Sequence, residues 1–287
     1  MPVEHAPAKV NLALHVLGRR ADGYHELHSL CVFTELGDTL RAEPAGADRL
    51  TVGGPFGADL PTGRSNLIVR ALEKFRTRFP GALPEGVAIH LDKHLPVAAG
   101  LGGGSADAAA ALRLLLGLSR AEIAPAALFD LAATLGADVP MCLASRPCEV
   151  SGIGEIVRPL ALFPPIHLVL ANPGEALGTA DVFRTLETRD NPPMPPIGDG
   201  FDRAAALSLW LADTRNDLEA PARALVPAIG TLIAQLAASP GCALARMSGS
   251  GATVFGLFGS AAAAHQAAQD LRRAVPGAWV AATPVVV

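Results

Sequence analysis

The chain has 287 residues, a formal net charge of −4, and 50% hydrophobic against 17% charged residues. That length fits one large or two moderate domains with a substantial core, and the lack of a basic surplus argues against a nucleic-acid binder. The apolar stretches are Ala-rich and interrupted, so none is expected to span a membrane.

Met1–His5 carries no basic stretch followed by an apolar one, the mark of an export leader. Cys31, Cys142, Cys148 and Cys242 form no CxxC pair, and no histidine pair stands near them at zinc-ligand spacing. Reduced thiols in a soluble cytoplasmic protein are the expectation. Only Lys9, Lys74 and Lys93 are lysines, so each is conspicuous.

In chain order, Lys9–Leu17 alternates as a strand, Arg20–Tyr24 is a turn built on Asp-Gly, and Leu27–Thr34 returns as a second strand, with Thr39–Ala42 a third. Leu67, Ile68, Ala71, Leu72 and Phe75 repeat with a helical period within Ser65–Phe79. Val87–Leu91 is a strand. The glycine-rich Leu95–Ser105 follows, and the helix Ala106–Leu116 comes directly after it. Ser119 and Glu122 have the spacing of a capping box for a helix that runs to Leu135 and stops at Gly136, leaving a loop at Ala137–Pro140.

In the second half, Glu149–Leu160 and His167–Leu170 read as strands and the Pro-, Gly- and Asp-rich Asp190–Gly200 as a loop or linker. Helices are expected at Arg203–Ala212 and Pro221–Ala238. Ala243–Met247 and Ala252–Phe258 are strands around a Ser248–Gly251 turn, Ala261–Ala274 is a helix and Trp279–Thr283 a last strand. The elements follow no regular βα alternation and no fixed repeat, which points to an α+β fold rather than a doubly wound sheet.

The strongest chemical signal is Gly100, Gly102, Gly103 and Gly104 ahead of a long helix. Glycines let the backbone turn sharply and approach a ligand, and a helix N-terminus aims N–H groups and the positive end of its dipole at the same place, so phosphate is the expected occupant. No Gly-Lys-Ser/Thr follows, so this is not a Walker A loop, and the spacing is not that of a dinucleotide fingerprint. A flexible loop capped by Ser105 is the bland alternative.

Lys9 enters a strand in apolar company, and Asp138 follows a helix end. Phosphoryl transfer to an alcohol needs a carboxylate to position or deprotonate the nucleophile and a cation beside it. Each residue also has an ordinary reading, Asp138 as a helix cap and Lys9 as a strand-edge charge. Gly249 and Gly251 in Met247–Val254 suit either a turn near an anion or a plain hairpin. His25 and His28 fall on opposite faces of a strand, which does not suit a metal pair. Tyr24, the one tyrosine, stands beside His25 and fits either recognition of a flat ring or packing of the hairpin.

Three segments, Pro7–Leu12, Pro96–Asp107 and Met247–Thr253, resemble in order the three motifs of the GHMP kinases, the superfamily of galactokinase, homoserine kinase, mevalonate kinase and phosphomevalonate kinase. Gly18–Leu27, Ser65–Arg70 and Leu135–Pro140 are similar to one branch, the 4-diphosphocytidyl-2-C-methyl-D-erythritol kinases of the non-mevalonate isoprenoid pathway. The likeness runs from residue 7 to the last strand. It implies a two-lobed α+β fold: an N-terminal lobe over residues 1–155 like ribosomal protein S5 domain 2, a ferredoxin-like C-terminal lobe over 156–287, and an active site between them. It implies ATP and Mg²⁺ as cofactors, although the sequence singles out no protein ligand for the metal.

Carried over residue by residue, the resemblance makes Asp138 the catalytic base and Lys9 its electrostatic partner. Pro96, Val97, Ala98, Ala99, Gly100, Leu101, Gly102, Gly103, Gly104, Ser105 and Ala106 cradle ATP, with Asn66 and Leu67 at the adenine end. Tyr24 and His25 hold cytosine, Asn11 and Thr179 lie near the substrate's polar groups, and Phe183 stacks on the base. Relatives can carry an aromatic on the second face of the cytosine; here that place falls to Cys31, with Phe33 two residues on. The implied protein is a monomer or weak homodimer acting on a small molecule, with no nucleic-acid or membrane partner. Two alternatives are another GHMP kinase of the homoserine or mevalonate type and a non-catalytic nucleotide sensor; the latter is disfavoured because both Lys9 and Asp138 are present.

Overall fold

The computed structural model describes residues 1–188 and 190–287. The chain forms two compact units that interleave along the sequence. The first comprises Met1–Ala8, Gly37–Val97 and Gly102–Ser145; the second comprises Lys9–Leu36, Ala98–Leu101 and Arg146–Val287. Strand β1 (Val3–Arg19) leaves the first unit after Ala8, and β2 (His25–Ala45) enters it at Gly37.

In the first unit, residues 39–45 of β2 pair antiparallel with β4 (Gly86–Asp92), and β4 pairs parallel with β3 (Arg49–Gly53). Helix α1 (Leu67–Arg78) packs against α2 (Gly103–Leu118), which in turn meets α4 (Val139–Ala144); α3 (Pro125–Ala133) touches all three. Ala108–Ala111 are fully buried, and four consecutive small side chains allow neighbouring elements to approach α2 closely. The apolar stripe foreseen for α1 is observed: Ile68, Ala71, Leu72 and Phe75 are its buried residues.

In the second unit, residues 27–31 of β2 pair with β5 (Cys148–Gly152), which turns into β6 (Ile156–Pro159). A separate antiparallel sheet has the order β10-β7-β9-β8, formed by β7 (His167–Asn172), β8 (Cys242–Met247), β9 (Val254–Phe258) and β10 (Trp279–Pro284). Helices α8 (Ala228–Ala237) and α9 (Ala261–Ala274) pack on it. Its core joins Val169, Val254 and Phe258 of the sheet to Leu236 and Leu271 of the helices. Helices α5 (Thr179–Arg184), α6 (Ala204–Ala212) and α7 (Glu219–Leu225) complete this unit.

Several expectations about elements change. The two strands expected at Leu27–Thr34 and Thr39–Ala42 are one, because Gly37 does not turn the chain. A Cβ there would lie 2.3 Å from the Ala6 carbonyl oxygen, so this glycine serves a close backbone approach. The capping box is not formed: Ser119 ends α2, its Oγ accepts from the Ala121 N–H, and α3 opens instead on Pro125. The helix expected over Pro221–Ala238 breaks at Val226-Pro227, since proline has no N–H to continue the ladder. Glu149–Leu160 is a hairpin whose turn uses Gly152 and Gly154 at positive φ. The loop at Ala137–Pro140 runs into α4, with Pro140 in its first turn where a missing N–H costs nothing. Strand β3 and helix α5 were not foreseen.

Candidate active site

The glycine-rich segment serves several purposes. Helix α2 begins inside it, with Gly102 at the N-cap in a left-handed conformation (φ 63°) and no side chain capping the helix. Gly102 thus offers the N–H groups of the first turn no side-chain acceptor of its own, an arrangement that suits an anion. A Cβ on the exposed Gly104 would come no nearer than 3.7 Å to Leu67 Cδ1. Gly100 (φ 75°) has a different reason to be glycine. A Cβ there would be 2.6 Å from the Ser248 carbonyl oxygen and 2.7 Å from that of Gly251, so the third motif packs directly on it. Ala98 also adopts positive φ (52°). The Ala99 carbonyl accepts from Thr253 N–H (3.1 Å), and the buried Leu101 accepts from Lys9 N–H (2.9 Å). Among the flanking positions, Pro96, Val97 and Ser105 are at least partly exposed, and the buried Ala106 donates to the Gly102 carbonyl. Asn66 caps α1 by accepting from Ile68 N–H at 2.9 Å.

Lys9 is buried, and its ammonium donates to Asn11 Oδ1 at 2.8 Å. Asn11 in turn donates from Nδ2 to Ser29 Oγ (2.7 Å), and its backbone N–H donates to Ser248 Oγ (3.1 Å). Ser248 Oγ donates onward to the Gly100 carbonyl at 3.1 Å. The strand carrying Lys9, the third motif and the first part of the glycine segment are thereby tied into one network. Asp138 stands in the first unit, partly exposed, at the N-cap position of α4, yet its side chain makes no capping bond to that helix.

Two residues that support this network were not foreseen. The buried Asn216 donates from Nδ2 to the Met247 carbonyl (2.8 Å) and the Gly249 carbonyl (2.9 Å), holding the start of the third motif at two points. Arg246, also buried, donates to the Leu12 carbonyl, to Thr214 Oγ1 and carbonyl, and to the Leu211 carbonyl. Burial lowers the Arg246 pKa to about 10, with Glu219 opposing the shift. Asn216 carries no motif signal, and its partners lie 31 and 33 positions away.

Within the second unit, a cavity of about 630 Å³ is lined by Tyr24, His25, Thr179 and Phe183 together with Arg19, Arg184 and apolar neighbours, and, among the described residues, by no carboxylate. The Asp-Gly turn places Tyr24 there: Arg20 N–H donates to the Tyr24 carbonyl (2.8 Å), and Gly23 takes φ 90°. Phe183, on α5, stacks on the His25 ring with centroids 4.6 Å apart. Thr179, the first residue of α5, hydrogen-bonds through Oγ1 to Ser250 Oγ at 2.8 Å. Cys31 and Phe33, the residues expected at a second aromatic face, are both fully buried and absent from this lining. Cys31 Sγ accepts from Asn11 Nδ2, and the Phe33 carbonyl accepts from Val286 N–H. β2 is buried on both faces at this point, since Leu30 and Val32 are fully buried as well.

The Pro-rich stretch after Phe183 is pinned by side chains. The Pro192 carbonyl accepts from Arg215 Nη2 (2.8 Å) and from His15 Nδ1 (3.1 Å), and Met194 N–H donates to His28 Nδ1 (3.2 Å). His15 Nε2 accepts from Arg215 N–H, so the ring is neutral, and burial lowers its pKa.

Comparisons with known proteins agree with this architecture. Residues 66–146 match the model of the GHMP kinases N terminal domain, and residues 200–277 match GHMP kinases C terminal. A 4-diphosphocytidyl-2-C-methyl-D-erythritol kinase of Dinoroseobacter shibae is 51% identical over 97% of this chain and 93% of its own length. One of Agrobacterium fabrum is 50% identical over 99% and 96%. A crystal structure of a 4-(cytidine 5'-diphospho)-2C-methyl-D-erythritol kinase superposes with a TM-score of 0.81 and 39% identity, covering 100% of both chains. Homoserine kinase of Cytophaga hutchinsonii, at 18% identity and a TM-score of 0.70, shares the fold. The chain belongs to the GHMP kinases and, among them, to the 4-diphosphocytidyl-2-C-methyl-D-erythritol kinase family.

Proposed function

We propose that the protein transfers the γ-phosphoryl group of ATP to the 2-hydroxyl of 4-diphosphocytidyl-2-C-methyl-D-erythritol, a step of isoprenoid precursor synthesis in the cytoplasm. The observation that carries the substrate assignment is the cavity walled by Tyr24, His25 and Phe183, with Arg19 and Arg184 on its lining and no carboxylate among the described residues there. Flat side chains suit a pyrimidine, and guanidinium groups suit the diphosphate attached to it. A homoserine or mevalonate site would have no use for stacked rings.

The triphosphate would lie on the N–H groups at the start of α2, which no side chain caps. Among the described residues, no group of three His, Cys, Asp or Glu side chains is placed to hold a metal ion, and Mg²⁺ would enter with the triphosphate, sharing its oxygens, as is usual for this ion. When bound, it would supply positive charge against the transferring phosphoryl group. In the reaction, the substrate hydroxyl oxygen bonds to the γ-phosphorus as the bond to the β–γ bridging oxygen breaks. The hydroxyl proton passes to the Asp138 carboxylate, and ADP leaves. Lys9, oriented by Asn11 at 2.8 Å, supplies positive charge where negative charge develops.

The test is a coupled assay of ADP release with 4-diphosphocytidyl-2-C-methyl-D-erythritol, homoserine and mevalonate as acceptors. Turnover with the cytidine compound alone is expected; comparable turnover with either of the others would overturn the assignment.

A further inference from the structure

Beneath the first turn of α2 lies a buried ionic cluster that the phosphoryl-transfer chemistry leaves unused. The Lys93 ammonium donates to Asp38 Oδ2 and to Asp107 Oδ2, each at 2.6 Å, and all three residues are buried. Asp38 Oδ1 accepts the N–H groups of His94 (2.6 Å) and Leu95 (2.8 Å), which fixes the chain leading into the glycine segment. Asp107, the fifth residue of α2, has a second oxygen with no hydrogen-bond partner. The cluster lies directly under the helix start: a Cβ on Gly103 would be 3.1 Å from Lys93 Nζ and 3.9 Å from Asp38 Oδ2.

Two carboxylates on one ammonium cannot both be balanced. With both ionised the cluster carries −1; with one proton added it is neutral. Burial drives the Asp107 carboxyl up to about 7, the Asp38 charge reinforces this, and the Lys93 ammonium opposes it. The groups facing Asp107 are Lys93, just past β4, and Asp38, on β2. The next charged residue on its own helix, Arg113, is engaged by Glu4 at 2.7 Å, and His94 by Asp92 at 3.1 Å.

We propose that a proton on Asp107 governs how tightly the start of α2 holds a nucleoside triphosphate: the neutral cluster permits binding, and the anionic cluster weakens it by repulsion. This rests on the reading of α2 as the triphosphate site. A buried charge one helical turn from a phosphate, partly screened, is worth roughly tenfold in affinity. Asp107 and its two partners act here as positioning residues that set the local potential; they do not touch the reacting atoms.

Calorimetric titration with ATPγS and Mg²⁺ at pH 6, 7 and 8 tests this, because the thiophosphate of that probe stays ionised throughout. Wild-type affinity should fall as pH rises, whereas Asp107→Asn should bind equally well at pH 6 and roughly tenfold more tightly than wild type at pH 8. Wild-type binding near pH 7.5 should also take up protons, measured in buffers of different ionisation enthalpy, a readout that survives if the variant folds poorly. An affinity ratio independent of pH, or binding without proton uptake, would overturn the proposal while leaving the triphosphate site intact. Failure of ATPγS to bind wild type at any pH would instead overturn the reading of α2.

Discussion

The imidazole of His25 lies against the phenyl ring of Phe183, centroids 4.6 Å apart and planes 25° from parallel. A pyrimidine stacking on that same face of Phe183 must part the two rings, whereas one entering beside Tyr24, which is 60% exposed, need not. Phe183→Ala and His25→Ala should therefore differ. Loss of the phenyl removes stacking area and frees the histidine, and loss of the histidine removes polar recognition worth roughly 1–3 kcal/mol. His25→Ala is expected to raise KM for the cytidine substrate roughly tenfold or more and Phe183→Ala by less, with KM for ATP nearly unchanged in both. Equal losses for both substrates would count against the cavity as the cytidine site.

The glycines of the second motif should not respond alike. Gly104→Ala has room for its methyl group and is expected to fold normally with a modest change in nucleotide affinity. Gly100→Ala would strike two carbonyl oxygens while holding an unfavourable positive φ and should cost roughly 1–3 kcal/mol or more. Thermal unfolding of the two variants side by side checks this; similar Tm values would contradict the packing described for Gly100.

Asp138→Asn preserves shape while removing the proposed base, and turnover should fall roughly 10²–10⁴-fold with both substrates still bound. Lys9→Ala should also lower turnover, and the double variant should lose less than the product of the two single losses if the residues act as a unit. Near-normal turnover in Asp138→Asn would send the search for the base elsewhere.

Asn216→Ala removes both clamps on the third motif without touching the cavity proposed for cytidine, whose lining it does not join. Two lost buried hydrogen bonds are worth about 1–3 kcal/mol. We expect lower stability together with a fall in kcat, partly restored by Asn216→Gln. A change in stability alone, with full kcat, would make Asn216 a scaffold residue only.

Two titrations should oppose each other in the stability profile. The His15 pKa is lowered in the folded state, so its contribution is present above the unfolded value of about 6.5 and is lost as pH falls below it. Asp107 is raised to about 7, so its contribution is lost as pH rises from the unfolded value near 4 toward 7. Denaturant unfolding at pH 5.5 and 8 should show His15→Gln less sensitive to acid than wild type and Asp107→Asn relatively more stable at pH 8. Parallel profiles for all three proteins would refute both assignments.

The local structure around the proposed site residues was legible wherever they stand in short motifs. The glycine run announces a helix N-terminus because local backbone freedom and helix polarity are properties of adjacent residues, and α2 starts within that run. The Asp-Gly turn and the alternation after it sufficed to put Tyr24 and His25 at a hairpin. Long-range partnerships left no such trace. Gly37 was indistinguishable from a turn until the Ala6 carbonyl was seen against it. Cys31 and Phe33 stood where a second face for the base was to be sought, until both faces of β2 proved covered along residues 29–34. Lys93 was notable only as one of three lysines; burial beside two carboxylates 55 and 14 positions away gives it a role. The sequence by itself determined which segments can bend, which can cap and which carry charge, because those are local consequences of side-chain chemistry. Only the tertiary structure decided which charges lose their water and which partners meet, because desolvation and packing depend on residues the chain brings together from far apart.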